Sequence, residues 1–266
     1  MKHDQSTQAW NRMGEEWIQL VQISEHRTQF VIPHMLNKLQ DVAGKNVLDL
    51  GCGEGGYARA LARRGALVTA VDCNEAALAY SAQRTLEEDL PICYFIRNSN
   101  DLDGFVDNSS DIVLCSMMLM DCGDLEGTLR EAARVLKPGG SLFASVLHPC
   151  FDGEHETGIG RQGKGLDRQV VVKNYFEPSV WDAPLYKGVT PVRWHHRTLE
   201  EYMRSFLQAG FALVDLEEPR PAVEQAEHCP AIAWLRKVPL YLFMEWKKNN
   251  LRFENRCGMI LFTSQS

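Results

Sequence analysis

The feature of this sequence that most constrains its fold is the stretch VLDLGCGEGGYARAL at residues 47–61. An apolar run, a glycine-rich turn and a helical pattern follow one another there, as in the first unit of a parallel α/β sheet. The same order recurs along the chain. Further predicted strands are LVTAVD, ICYFIRN, DIVLCSM and SLFASVLH. The predicted helices between them include NEAALAYSAQRTLEE, with Asn74 as its N-cap, and LEGTLREAARVL, which KPGG ends. This alternation predicts a doubly wound parallel sheet with right-handed crossovers.

The segments on either side of this alternation have a different character. Residues 8–40 carry apolar positions at helical spacing, so we expect one or two amphipathic helices, interrupted near Pro33. Residues 149–197 contain many aromatic side chains and little periodicity. A helix is then predicted after a capping box of Thr198 and Glu201, followed by two strands, FALVDLEE and VPLYLFMEW. We therefore assign residues 1–248 to one domain and treat 249–266 as an extension of unknown role.

Composition disfavours several functional classes. A formal net charge of -7 argues against a nucleic-acid partner, and the arginines at 59, 63 and 64 are interpreted as a solvated helix face. The eight cysteines show no C-x-x-C pair, and no histidine cluster has zinc spacing, so no metal is expected. The N-terminus has no apolar signal region, and no run is long enough to span a bilayer. A cytoplasmic protein without a membrane partner is the simplest interpretation.

The glycine loop leaves two kinds of cofactor open. Its glycines fit the dinucleotide pattern G-x-G-x-x-G through Gly56, and equally the shorter G-x-G-x-G through Gly55. Charge favours the second pattern, because Asp49 and Glu54 would repel a pyrophosphate but attract an ammonium or sulfonium group. Asp72, at the end of the second strand, is placed to accept hydrogen bonds from ribose hydroxyls in either case. Asp49 could also serve only to shape the turn.

The order of VLDLGCGEGGYARALARRGALVTAVDCNEAAL, SSDIVLCSMMLMD and LREAARVLKPGGSLFAS resembles class I S-adenosylmethionine-dependent methyltransferases. The likeness is greatest to the type 11 group, which acts mostly on small molecules, and it covers about residues 45–148. It implies a Rossmann-like, seven-stranded sheet whose last strand is antiparallel. It also implies an N-terminal helical cap at 1–40 and a substrate lid at 149–197. The expected cofactor is S-adenosyl-L-methionine, which becomes S-adenosyl-L-homocysteine, and the expected partner is a small-molecule methyl acceptor.

The resemblance also places the cofactor-binding residues at the ends of the first four strands. They would be Asp49, Gly51, Cys52, Gly53 and Gly55, then Asp72 and Cys73, then Asn98, Ser99 and Asn100, and finally Ser116 and Met117. Asn98 departs from the family, which commonly has an acidic residue there, although an amide can still pair with the adenine. Met118 would contact the substrate, but core packing explains the methionines at 117–120 equally well.

Methyl transfer to oxygen, or to a protonated nitrogen, is helped by a general base. The candidates are His148, in the turn HPCF that family members share, Asp121, and His196 from RWHHRT. His148 could instead form the turn through the backbone. Tyr175, Trp181 and Trp194, with Tyr186, could line the substrate pocket or simply pack beneath a long loop. Trp10 and Trp17 could close over the cofactor. The expected function is methyl transfer to oxygen or nitrogen of a small molecule; methylation of a tRNA base and a non-catalytic cofactor-binding domain are the alternatives.

Overall fold

The structure, a computed structural model, describes residues 4–151, 160–162, 169–185 and 188–249. The strands are β1 (Asn46–Leu50), β2 (Leu67–Asp72), β3 (Ile92–Ile96), β4 (Ser110–Ser116), β5 (Leu136–Leu147), β6 (Gly160–Gln162), β7 (Gln169–Val171), β8 (Ser179–Ala183), β9 (Val192–His196), β10 (Phe211–Glu217) and β11 (Tyr241–Lys248). The α-helices are α1 (Gln5–Ile23), α2 (Ile32–Lys38), α3 (Gly56–Arg63), α4 (Glu75–Glu87), α5 (Leu125–Val135), α6 (Leu199–Gln208) and α7 (Val223–His228). The other helical segments are a π-helix at His26–Val31 and 3-10 helices at Leu119–Asp121 and Pro230–Arg236.

Seven of these strands form one sheet in the order β10-β11-β5-β4-β1-β2-β3. Strands β1 to β5 are parallel to their neighbours among themselves, whereas β11 is antiparallel to both β5 and β10. The predicted fold, with its antiparallel last strand, is confirmed. The strand order reverses between β1 and β4, so a crevice opens there at the carboxyl ends of the strands.

Helices cover both faces of this sheet, which is why its central strands are apolar runs without alternation. In β1, Val47 packs in one core cluster with α2 and α3, and Leu48 packs in a second cluster with α5 and α6. The predicted N-caps of helices α4 and α6 are also present. Asn74 accepts a hydrogen bond from the N–H of Ala77, and Thr198 and Glu201 form a complete capping box.

The N-terminal helices break at other positions than predicted. Helix α1 is kinked at Gly14, where φ is 47° and ψ is -122°, and it ends before Ser24. Pro33 lies in the first turn of α2. Proline is tolerated at that place because the first N–H groups of a helix have no partner within the helix. The helical segments are therefore interrupted at Gly14 and Ser24 rather than at Pro33 itself. Next to Pro33, the π-helix changes to the α-helix α2.

The start of one strand differs from the prediction, and some residues with predicted roles lie outside the described ranges. Strand β5 begins at Leu136, so KPGG belongs to its start, because Leu136 already pairs with Ser110 of β4. Within 149–197, β6 pairs with β7 and β8 pairs with β9 as separate antiparallel hairpins. Tyr186 and nearly all of 249–266 lie outside the described residues. Among the helices of the described ranges, none is long and apolar enough to cross a membrane.

Candidate functional site

A cavity of about 820 Å³ opens at the carboxyl ends of the sheet strands. The residues that follow β1, β2, β3 and β4 line it, and so do Leu147 at the end of β5 and Tyr241 at the start of β11. Side chains of α1, of the π-helix and of the β8–β9 hairpin complete the wall. Because neighbouring strands are about 4.8 Å apart, the cavity extends roughly 19 Å from β2 to β11. It therefore has room for a cofactor at one end and a second molecule at the other.

The glycine loop after β1 has a backbone conformation that depends on its glycines. Gly51, Gly53 and Gly55 have φ of 73°, 55° and 76°, whereas Gly56 is the first residue of α3. A Cβ at Gly51 would lie 2.7 Å from Cβ of Met118, so this position needs glycine for space as well as for backbone conformation. A Cβ at Gly56 would lie 2.6 Å from Oε1 of Glu54, so this glycine is also restricted, and the loop by itself fits both spacings. Gly51, Cys52 and Gly53 line the cavity, while Gly55 forms the start of α3 against Ser81 and Tyr94.

Asp72 lies where the sequence places a ribose-binding carboxylate. Its Oδ2 accepts from the N–H of Gly53 at 2.7 Å, and its Oδ1 accepts from the N–H of Asn74 at 2.8 Å. Each carboxylate oxygen can accept two hydrogen bonds, so both retain capacity toward the cavity that Asp72 lines. Burial raises the pKa of Asp72, and the backbone N–H groups oppose this effect.

The two other acidic residues of the loop have different environments. Asp49 is 1% exposed and lies beneath the loop, where burial and the charges of Asp72 and Glu54 raise its pKa to about 7. Its Oδ2 has no hydrogen-bond partner among the described residues. Glu54 lines the cavity but is paired with Arg27 and, at 2.8 Å, with Arg59. Two guanidinium groups thus compensate the charge of Glu54 in part, and its attraction of a cationic ligand stays a prediction.

The residues after β3 divide into two groups. Asn98 and Ser99 line the cavity, and the side-chain amide of Asn98 donates to Oγ1 of Thr7 on α1 at 2.7 Å. Cys73, after β2, also lines it. Asn100 instead donates to the Asp124 carboxylate at the N-terminus of α5, at 3.0 Å. Its side chain is therefore engaged by that helix, and the cofactor contact expected of Asn100 stays a prediction.

The end of β4 brings polar and apolar groups to the middle of the cavity. Ser116 Oγ donates to the Tyr57 hydroxyl at 3.0 Å, and Met117 and Met118 line the wall beside it. Asp121 lines the cavity too, and its buried Oδ1 has no hydrogen-bond partner among the described residues. Burial raises the pKa of Asp121 well above its usual range, opposed by the charge of Arg197. An unpaired buried carboxyl at this place fits a cationic or hydrogen-bond-donating ligand.

Three of the predicted catalytic or substrate residues are not among the described residues that line the cavity. His148 is 2% exposed, and its Nε2 bonds to Glu218 at 2.7 Å. Because successive side chains of a strand point to opposite faces, Leu147 faces the cavity and His148 does not. His196 Nε2 bonds to the carbonyl of Tyr175, and the Tyr175 hydroxyl accepts from the N–H of Leu199 at the start of α6. These side chains instead join the segment after β5 to α6 and to the loop after β10.

Tryptophans line the cavity from two elements. Trp181 and Trp194, which face one another across β8 and β9, stack with interplanar angle 9°. Trp10 and Trp17 of α1 pack edge to face with centroids 5.3 Å apart. Sequence reasoning missed His26, Arg27, Tyr57 and Tyr241, which also line the wall. Tyr241 lies inside the predicted strand VPLYLFMEW, and no local pattern marked any of the four as a site residue.

Comparisons with known proteins agree with this geometry. A family model described as a methyltransferase domain matches residues 48–144. The chain is 34% identical over 147 residues to a ubiquinone biosynthesis O-methyltransferase of Chromobacterium violaceum, which is 55% of this chain and 61% of that protein. The chain thus spans about three fifths of the length of this curated relative.

Two solved structures are similar over most of the chain. One is an S-adenosylmethionine-dependent methyltransferase of Mesorhizobium loti, at TM-score 0.70 and 26% identity, covering 85% of this chain and 99% of that one. The other, from Listeria monocytogenes, is described as a putative S-adenosylmethionine-dependent methyltransferase. It has TM-score 0.69 and 27% identity and covers 82% and 96% of the two chains.

Proposed function

We propose that this chain is a class I S-adenosylmethionine-dependent methyltransferase, as its match to the methyltransferase-domain model and its likeness to the Mesorhizobium loti structure support. It would transfer a methyl group from S-adenosylmethionine to an oxygen or nitrogen of a small molecule. The observation that carries the proposal is the cavity itself. Its β1–β2 end has the glycine loop and Asp72, and its β5–β11 end has room for a second molecule.

The residues of the β1–β2 end fit the cofactor. The free capacity of Asp72 suits the two ribose hydroxyls, and Gly51 and Gly53 let the loop backbone approach the methionine half closely. Asn98 offers an amide for the adenine, and Asp121 offers a carboxyl without a partner. When bound, the cofactor supplies an electrophilic methyl group on a sulfonium. The protein contributes the alignment of acceptor and methyl group and the exclusion of water.

The small-molecule acceptor is supported by the cavity wall. Four tryptophans from α1 and the β8–β9 hairpin surround the space beside the sheet, and such a wall suits a flat, partly apolar molecule. The Chromobacterium relative is named an O-methyltransferase, which supports oxygen as the methyl-accepting atom. The net charge of -7 disfavours a nucleic-acid acceptor.

Calorimetric titration with S-adenosylmethionine, S-adenosylhomocysteine and NAD tests the cofactor assignment. We expect the first two to bind in the micromolar range and Asp72→Ala to lose that binding. Asp103→Ala, which changes an exposed aspartate beyond the cavity wall, serves as the matched control and should bind as the wild type does. Urea denaturation establishes that both variants are folded. Binding of NAD alone, or of none of the three, would contradict the proposal.

A further inference from the structure

The cavity end near β11 contains a pair of side chains that no cofactor-binding role uses. Across β5 and β11, Tyr241 pairs with Leu147, and across β4 and β5, Ser116 pairs with Ser145. Tyr241 thus lies two strands away from Ser116, which is roughly 10 Å across the sheet. Along the strand direction it lies about two residues beyond Ser116, toward the carboxyl ends of the parallel strands. This is the half of the cavity opposite Asp72, where the acceptor would lie.

The Tyr241 hydroxyl is bonded to His26 of the π-helix. The hydroxyl oxygen lies 2.9 Å from Nδ1 of His26, and Nε2 of the same ring lies 3.0 Å from the carbonyl oxygen of Ala231. A carbonyl can only accept a hydrogen bond, so Nε2 carries a proton in every protonation state of the ring. In the neutral ring, Nδ1 is then the unprotonated nitrogen, and it accepts from the Tyr241 hydroxyl.

We propose that Tyr241 is the catalytic residue that takes the proton of the methyl acceptor, and that His26 is the positioning residue that receives the proton of Tyr241. This inference rests on the proposed function. The proton on the acceptor oxygen or nitrogen moves to the Tyr241 oxygen as the phenolic proton moves to Nδ1 of His26. The lone pair thus freed forms the bond to the methyl carbon, and the electron pair of the broken carbon–sulfur bond stays on sulfur. The imidazolium of His26 keeps its other proton on Nε2, which donates to the carbonyl oxygen of Ala231.

The surroundings of His26 are compatible with this role. Trp234 and Tyr241 pack against the ring, with centroids 6.1 Å away in each case. The charged neighbours on its own helix are engaged elsewhere: Arg27 pairs with Glu54, and Glu25 lies 3.8 Å from Cys229 Sγ. On the 3-10 helix that supplies Ala231, Arg236 donates to the carbonyl of Pro221. On the sheet side, Tyr57 lines the cavity and is held by Ser116.

The test uses 4-nitrophenol, whose ionisation is visible, bound to the complex with S-adenosylhomocysteine. Proton transfer through Tyr241 to His26 should make the bound phenol ionise at a pH about one unit lower in the wild type than in Tyr241→Phe or His26→Gln. His34→Gln is the matched control, because His34 packs on Phe243 of the same strand without being among the cavity-lining residues. It should leave the ionisation unchanged. Equal ionisation in wild type and Tyr241→Phe overturns the proposal.

A second measurement needs no methyl acceptor. It also separates a proton relay from a purely structural effect of the substitutions. Nitrogen NMR of the His26 ring, assigned by its loss in His26→Gln, should show the neutral ring protonated on Nε2, with a titration that shifts in Tyr241→Phe and stays in place in His34→Gln. A neutral ring protonated on Nδ1, or a titration insensitive to Tyr241→Phe, overturns the relay. Failure of S-adenosylhomocysteine to bind the wild type would count against the proposed function instead, so the two failures are distinguishable.

Discussion

At the scale of single residues, the site concentrates carboxyl groups that the protein itself does not fully pair. Asp49 and Asp121 each have one buried oxygen without a hydrogen-bond partner among the described residues. Burial raises the pKa of both groups, for Asp49 to about 7. Such groups cost stability when ionised, and Asp121, which lines the cavity, is the one proposed to contact a ligand.

The raised pKa of Asp49 predicts how stability depends on pH. The folded chain holds this proton up to about pH 7, whereas the unfolded chain releases it near 3.8. The resulting stabilisation is fully present below that lower value and is lost as pH rises through 7. Asp49→Asn removes this loss, so at pH 8 we expect the variant without ligand to be more stable than the wild type by about 2–4 kcal/mol.

Urea denaturation at several pH values from about 5 to 8, which lie on both sides of the pKa of Asp49, measures the free energy of unfolding of the two proteins. Asp103→Asn, at an exposed position, is the control and should follow the wild type at every pH. A gap between Asp49→Asn and the wild type that stays constant with pH would show that Asp49 does not titrate in this range.

At the scale of elements, one buried ion cluster joins the π-helix to the glycine loop and α3. Glu54, 4% exposed, pairs with Arg27 of the π-helix and with Arg59 of α3, and accepts from the N–H of Gly56. Removing the anion of such a cluster leaves buried guanidinium charge without compensation. The loop conformation thus depends on elements that are distant in sequence.

Glu54→Gln should therefore destabilise the protein by about 3 kcal/mol, as loss of one partner of a buried pair does. Glu87→Gln removes the exposed partner of Arg84 on α4, and it should cost about 0.5 kcal/mol or less. Both values come from urea denaturation at neutral pH. Similar losses for the two variants would mean that water penetrates the cluster and screens its charges.

At the scale of the whole molecule, α1 and the β8–β9 hairpin together close the cavity. Ser6 Oγ lies 2.9 Å from Nε2 of His195, and the N–H and hydroxyl of Thr190 donate to Glu16 at 2.7 and 2.9 Å. We call α1 and the β8–β9 hairpin the cover. Both parts of the cover line the cavity, so we expect ligand binding to be coupled to its closure.

Glu16→Ala should loosen the cover. We expect faster tryptic cleavage after Arg12 and Arg193 than in wild type, and slower cleavage of both proteins when S-adenosylhomocysteine is bound. Glu15→Ala changes the exposed neighbouring residue and should be cleaved at the wild-type rate. If the ligand left all cleavage rates unchanged, the cover would not close over the cofactor.

Local patterns in the sequence were sufficient for the strands and for part of the site, whereas the antiparallel last strand was implied by the family resemblance. Apolar runs, helix caps and glycines act over a few residues, so they predicted the seven strands, the loop at Gly51 and the position of Asp72. Which side chains reach the cavity was decided by tertiary packing. His148 faces away because Leu147 faces in, and Glu54 is paired with an arginine that only the folded chain brings near. His26 and Tyr241 meet across 215 residues of sequence. Contacts between distant elements leave no periodic trace in the chain, because they depend on how whole helices and strands pack.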